Sequence, residues 1–261
     1  MRYAALSKGE PHIEKIRIED KGRLSMAKDV IIALDFPDRK TTLDFLDRFQ
    51  DEKPFVKIGM ELFYGEGPSI VREIKERGHR IFLDVKCHDI PNTVEKTMKN
   101  LALLDVDMTN VHAAGTVKMM EAAVKGLEEG AGGKRRTLLI AVTQLTSTDQ
   151  ARLESDILIK EDINDVIAKY AKNAEKAGLD GVVCSPLEAG MIHENCGSSF
   201  LTVTPGVRFS DDAKGDQARV TTPARAKEIG SDYIVVGRSI TQADDPVEAY
   251  RRCCRDFLGE E

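Results

Sequence analysis

Four charged residues of alternating sign fall in two short apolar segments of this 261-residue chain. Lys57 stands in Val56-Lys57-Ile58-Gly59, and Asp84, Lys86 and Asp89 stand in Asp84-Val85-Lys86-Cys87-His88-Asp89. Along a β-strand successive side chains turn to opposite faces, so Asp84 and Lys86 are expected to point one way and Val85 the other. Asp89 then follows in the loop that leaves the strand. If the Lys57 segment is also a strand, two ammonium groups and two carboxylates could meet at one mouth. Taking such charges out of water costs several kcal/mol per ion unless each is well paired. Two uses would justify that cost. One is an ion-pair network that ties strand ends together. The other is a site where a cation faces developing negative charge and hands over a proton.

The ends of other apolar segments add donors suited to a phosphorylated ligand. Thr143-Gln144-Leu145-Thr146-Ser147 offers neutral groups able to read an amide-like ring. Thr204-Pro205-Gly206-Val207-Arg208 and Gly237-Arg238-Ser239 combine glycine, which lets backbone N–H groups approach an anion, with the guanidinium fork. Between them, residues 209–219 are polar and contain glycine, a candidate lid over a phosphate. Asp35 closes the first segment of the series.

These residues need a scaffold that gathers strand ends. Eight short β-branched runs, at 30–34, 55–58, 81–85, 108–111, 138–142, 181–184, 201–204 and 233–236, alternate with helical patterns. Helices are predicted over 93–104, 117–127, 163–177 (with Gly178 as a stop) and 246–258, the last opening on proline and ending at Gly259. Eight strands, each followed by a helix, predict a single (β/α)₈ TIM barrel with its site at the carboxyl ends of the strands. A doubly wound sheet is the rival, but it favours a glycine-rich first turn, and here the first strand runs into Leu34-Asp35-Phe36-Pro37. Gly65-Glu66-Gly67 reads as a plain turn and Lys134-Arg135-Arg136 as a solvated turn. The barrel is assigned to 26–261 and residues 1–25 to an N-terminal extension, peripheral or disordered.

Composition narrows the class. The formal charge is 38 − 44 = −6, which argues against a nucleic-acid surface. Five scattered cysteines without a C-x-x-C pair suit reduced thiols in a cytoplasm. Cys87 is read as a packed thiol rather than a nucleophile. Residues 1–25 contain no apolar signal region, and the run at 30–34 is far too short to span a membrane. His12, His79 and His193 show no metal-ligand spacing; His88 is read as supporting its loop, and His112 as a hydrogen-bonded residue facing the mouth.

The ten residues from Asp84 to Thr93, Asp-Val-Lys-Cys-His-Asp-Ile-Pro-Asn-Thr, resemble the D-x-K-x-x-D-I-P-x-T signature of the orotidine 5′-phosphate decarboxylases, most closely the bacterial ones. Ala33-Leu34-Asp35, Val56-Lys57-Ile58-Gly59, Gln144-Leu145-Thr146-Ser147 and the two phosphate segments resemble that family in the same order. The resemblance implies decarboxylation of orotidine monophosphate to uridine monophosphate, with no metal and no cofactor. It implies that Asp35 and Lys57 bind the ribose, that Asp84 lies against the substrate carboxylate and that Lys86 protonates C6. Thr146 would face the pyrimidine, and Gln217, Gly237 and Arg238 would hold the phosphate, with Arg208 nearby in the substrate site. Ile90 and Pro91 complete the substrate contacts. Asp89 and Thr93 would reach a neighbouring subunit's site, making a homodimer. The related sugar-phosphate decarboxylases use Mg²⁺ and carry a glutamate at the place of Lys57. A barrel that only binds nucleotides would be expected to lose Asp84 or Lys86.

Overall fold

The computed structural model describes residues 28–50, 52–212 and 221–259, with the backbone of two dipeptides before them. Those dipeptides, Arg17–Ile18 and Leu24–Ser25, pair antiparallel. The rest of the extension assigned to 1–25, and Gln217 and 213–219 of the candidate lid, lie outside the described residues.

Eight parallel strands close into one barrel: β1 (Asp29–Ala33), β2 (Phe55–Gly59), β3 (Ile81–Cys87), β4 (Met108–His112), β5 (Leu138–Val142), β6 (Gly181–Val183), β7 (Leu201–Thr204) and β8 (Tyr233–Val236). Each pairs with the next in sequence, and β8 returns to β1. Helices cover the outside: α1 (Arg39–Leu46), α2 (Met60–Glu66), α3 (Pro68–Glu76), α4 (Pro91–Ala102), α5 (Thr116–Ala131), α6 (Gln150–Ser155), α7 (Ile163–Lys176), α8 (Ala189–Cys196), α9 (Pro223–Ile229), α10 (Arg238–Thr241) and α11 (Pro246–Leu258). The strands and long helices match the sequence-based ranges to within a few residues, because β-branched runs and helix stops mark them locally. Helix α11 illustrates this: Asp245 caps the N–H groups of Val247 and Glu248, and Gly259 ends it with a left-handed φ of 79°.

Two apolar layers result from the period-two alternation. Outward residues such as Ile32, Val56, Leu83 and Val111 pack under the helices. Inward residues Ile31, Phe55, Phe82, Met108, Ile140, Leu201 and Tyr233 fill the barrel itself. Two residues farther along β2, β3 and β4, the same inward face carries Lys57, Asp84 and Asn110. The apolar plug thus forms the floor beneath a polar layer at the carboxyl ends of the strands.

Two turn readings need correction. Gly65 and Glu66 belong to α2, and only Gly67, at φ 68°, makes the turn into α3. Glu66 instead accepts the backbone N–H of Arg39 at 3.0 Å. In Lys134-Arg135-Arg136 the third residue is not a solvated turn residue. The Arg136 guanidinium grips both carboxylate oxygens of Asp180 at 2.8 and 3.0 Å, and Asp180 also accepts the Leu139 N–H. That arrangement fastens the start of β5 to the residue preceding β6.

Candidate active site

At the centre of the mouth stands Asp84, 8% exposed. Its Oδ1 receives the Lys86 ammonium at 2.7 Å and the Asn110 amide N–H at 2.7 Å. The Lys57 ammonium lies 3.7 Å from its Oδ2 and donates to Asp35 Oδ1 at 3.0 Å. Burial alone would raise the Asp84 carboxyl. The charges of Lys57 and Lys86 and the hydrogen bonds from Lys86 and Asn110 outweigh it and hold the group below the ordinary aspartate range. The result is a chain Asp35–Lys57–Asp84–Lys86 in which each charge has an opposite neighbour.

Lys86 reaches Asp84 by a different route from simple strand alternation. Its backbone is left-handed, at φ 50°, and the β3–β4 register slips between Leu83 and Cys87. This bulge re-aims the side chain towards the mouth, a known use of an irregular residue beside a site. Asn110, absent from the sequence-based candidates, secures it: its Oδ1 accepts the Lys86 backbone N–H at 2.8 Å. The available signal was a lone amide in β4, between Thr109 and Val111.

Lys57, Asp84, Lys86 and Thr146 line one cavity of about 240 Å³, floored by Phe82 and Val235 and walled by Val142, Leu145, Val183 and Pro205. Apolar side chains and two ammonium groups lining one cavity suit a flat, anionic ring. A second, wider cavity of about 670 Å³ brings Arg208 and Arg238 together with Phe209, Asp212 and Ser239. Gly206, at φ 80°, turns the chain after β7, and mutual backbone bonds between Gly206, Arg208 and Thr221 pin the two ends of the candidate lid. Gly237 lies against the first site: a Cβ there would come within 3.8 Å of Asp35 Oδ2.

The expectation that all four charges meet in one chain is not met at Asp89. That residue is exposed, accepts the Ile90 N–H at 2.6 Å, and forms no ion pair among the described residues. Ile90, Pro91 and Thr93 are exposed beside it, at the head of α4. His112 also departs from its reading: no hydrogen bond reaches its ring among the described residues, and its neighbour is the His88 ring at 5.8 Å. Burial, then the charges of His88 and Lys86, keep His112 below the ordinary imidazole range. Cys87 is raised by burial and then by Asp89, as suits a packed thiol rather than a nucleophile.

Residues 28–253 match the model of the orotidine 5′-phosphate decarboxylase / HUMPS family. This chain belongs to that family. Orotidine 5′-phosphate decarboxylase of a Bacillus cereus strain is 57% identical over 235 residues, covering 90% of this chain and 99% of its own. Among solved structures, orotidine 5′-phosphate decarboxylase of Lactobacillus acidophilus aligns with a TM-score of 0.79 at 41% identity, over 88% of this chain and 99% of its own. An uncharacterized conserved protein of Geobacillus kaustophilus aligns with the same TM-score at 48% identity, over 87% and 99%. The family match contains both cavities and all eight strands. No described helix is long and apolar enough to cross a membrane.

Proposed function

We propose that the chain decarboxylates orotidine 5′-phosphate to uridine monophosphate and CO₂, a step of pyrimidine biosynthesis, without a metal. The observation that carries the chemistry is the Lys86 ammonium held 2.7 Å from buried Asp84 in a cavity with apolar walls. Breaking the C6–carboxylate bond releases CO₂ and leaves its electron pair on C6. Lys86 lies where that charge develops, stabilises it and then gives its proton to C6. Asp84 places negative charge against the leaving carboxylate, and Lys57 and Asp35 hold the ribose hydroxyls. Thr146 faces the pyrimidine, with Ile90 and Pro91 against the substrate.

The phosphate sits with Arg208, Gln217, Gly237 and Arg238, and its binding energy is used to close the site around the ring. Arg238→Ala is expected to lower kcat/KM by roughly 10²–10⁴, with partial return on adding a guanidinium salt. Parent-like kinetics would place the phosphate elsewhere. Asp89 and Thr93 serve the partner's site in a homodimer. Residues 1–25 are peripheral to this machinery, a reading supported by a family match that starts at residue 28. The five free thiols suit a cytoplasmic enzyme.

The sugar-phosphate alternative turns on Lys57. An ammonium 3.7 Å from Asp84 repels a divalent cation where those relatives carry a glutamate ligand. An ultraviolet assay of orotidine monophosphate consumption decides: full turnover is expected in EDTA. Activity lost in chelator and restored by Mg²⁺ would overturn the metal-free reading.

A further inference from the structure

We infer that Asn110 is a positioning residue for this reaction, an amide clamp that sets both Lys86 and Asp84 at once. The inference rests on the decarboxylase reading and deepens it. Asn110 is fully buried at the middle of β4, facing into the barrel one layer above Met108. Its Oδ1 accepts the Lys86 backbone N–H at 2.8 Å, and its Nδ2 donates to Asp84 Oδ1 at 2.7 Å. The two partners fix the amide's orientation, because a backbone N–H can only donate and an ionised carboxylate can only accept.

Each bond answers a specific need. Lys86 occupies a left-handed backbone conformation at φ 50° that a lysine does not favour. The bulge removes the neighbouring ladder contact between β3 and β4, so the Lys86 N–H would otherwise lack its strand partner. Asn110 replaces that partner. At the same time it occupies Asp84 Oδ1, the oxygen that also receives the Lys86 ammonium. The carboxylate is thereby held in one orientation, with Oδ2 left towards Lys57. Among side chains of this size, only the amide accepts on one side and donates on the other in this way while staying neutral at neutral pH. Without it the proton donor and the carboxylate would lose their common reference point, while the phosphate and ribose contacts, made by other strands, would remain.

The test compares Asn110→Asp and Asn110→Ala with the parent, reading kcat, the Kd of uridine monophosphate and their pH dependence. Asn110→Asp keeps the shape but faces Asp84 with a second carboxylate. When it takes up a proton it can again accept on one side and donate on the other. Near pH 8 its kcat is expected to fall about 10²-fold, with product affinity within about threefold of the parent. Lowering the pH towards about 5.5 should narrow the gap to the parent at least roughly tenfold, as the introduced carboxyl regains its proton. Asn110→Ala, which can do neither, should be impaired to a similar degree with a gap that does not change with pH. A residue needed only for folding would lower thermal stability without that acid recovery. If Asn110→Asp does not fold near pH 8, the acid arm and Asn110→Ala decide the matter. Both variants turning over within about threefold of the parent would overturn the clamp, as would an Asn110→Asp gap indifferent to pH. A parent that does not consume orotidine monophosphate would instead overturn the functional reading on which the clamp rests.

Discussion

Asp84 shows how one buried carboxylate remains charged. Burial disfavours its ionised form, yet two ammonium groups and an amide more than offset that, so its folded pKa lies below the ordinary value of 3.8. The unfolded chain therefore binds the proton more readily than the folded one in the window beneath that value. The stability contributed by ionised Asp84 is complete above about pH 4 and is lost as pH falls through the folded pKa. Asp84→Asn should be destabilised at neutral pH, because Lys57 and Lys86 lose the charge between them. Its deficit relative to the parent should shrink in acid, where the parent's carboxyl is also neutral. Urea unfolding midpoints of both proteins from neutral pH to about pH 3 check this; a deficit constant across the range would show that Asp84 gains nothing from its ionised form. Of this cluster, Lys57, Asp84 and Lys86 were legible as charges ending apolar runs. Asn110 was not, since an amide in a strand carries no marker of what lies across the ladder. The left-handed backbone of Lys86 was hidden for the same reason: a bulge is a property of strand pairing, and local alternation says nothing about it.

Among elements, α4 carries the greatest consequence, since it begins with the exposed Pro91-Asn92-Thr93 segment and is seated on α5. Gly126 and Gly130 of α5 allow that seat: a Cβ at Gly126 would lie 2.1 Å from the Glu95 carbonyl oxygen, and one at Gly130 would lie 2.5 Å from the Lys99 oxygen. Alanine gains up to about 1 kcal/mol in helix propensity over glycine, but an overlap with rigid backbone forces the two helices apart at a cost of about 1–3 kcal/mol. Sterics should win at Gly126. Gly126→Ala is expected to lower Tm by several degrees and, by shifting the head of α4, to lower kcat/KM. Gly65→Ala is the contrasting case, because nothing lies within 4 Å of a Cβ there and the residue is helical. It should raise Tm slightly. Calorimetry and initial rates on the two variants suffice, and an unaltered Tm and kcat/KM in Gly126→Ala would refute the seating. At this scale the sequence was most informative: hydrophobic runs, proline starts and glycine stops placed all eight strands and the long helices. It misread Gly65 and Arg136, whose roles depend on a helix continuing past a glycine and on an acid 44 residues away.

At the scale of the whole molecule, Asp89 stands apart from the other three charges among the described residues. Lys57, Asp84 and Lys86 converge in the mouth, while Asp89 and Thr93 stand exposed at the head of α4 and Ile90 beside them presents a 65% exposed apolar side chain. A two-fold dimer is self-complementary, so a segment that leaves one site to enter the other does so in both directions. On the proposed mechanism, Lys86→Ala removes the proton donor from its own chain's site and should abolish turnover with the fold intact. On the proposed dimer, Asp89→Ala should be severely impaired because it would empty a place in the partner's site. Mixing the two inactive proteins under conditions of subunit exchange should then restore activity. A mixed dimer holds one dead site, lacking both groups, and one site with Lys86 from one chain and Asp89 from the other. With random exchange half the dimers are mixed and half of their sites are whole, so recovery should approach about a quarter of parental activity. Mass spectrometry must verify the exchange. Complete exchange without recovered decarboxylation would return Asp89 to its own chain's site, or leave it a structural residue of the loop after β3.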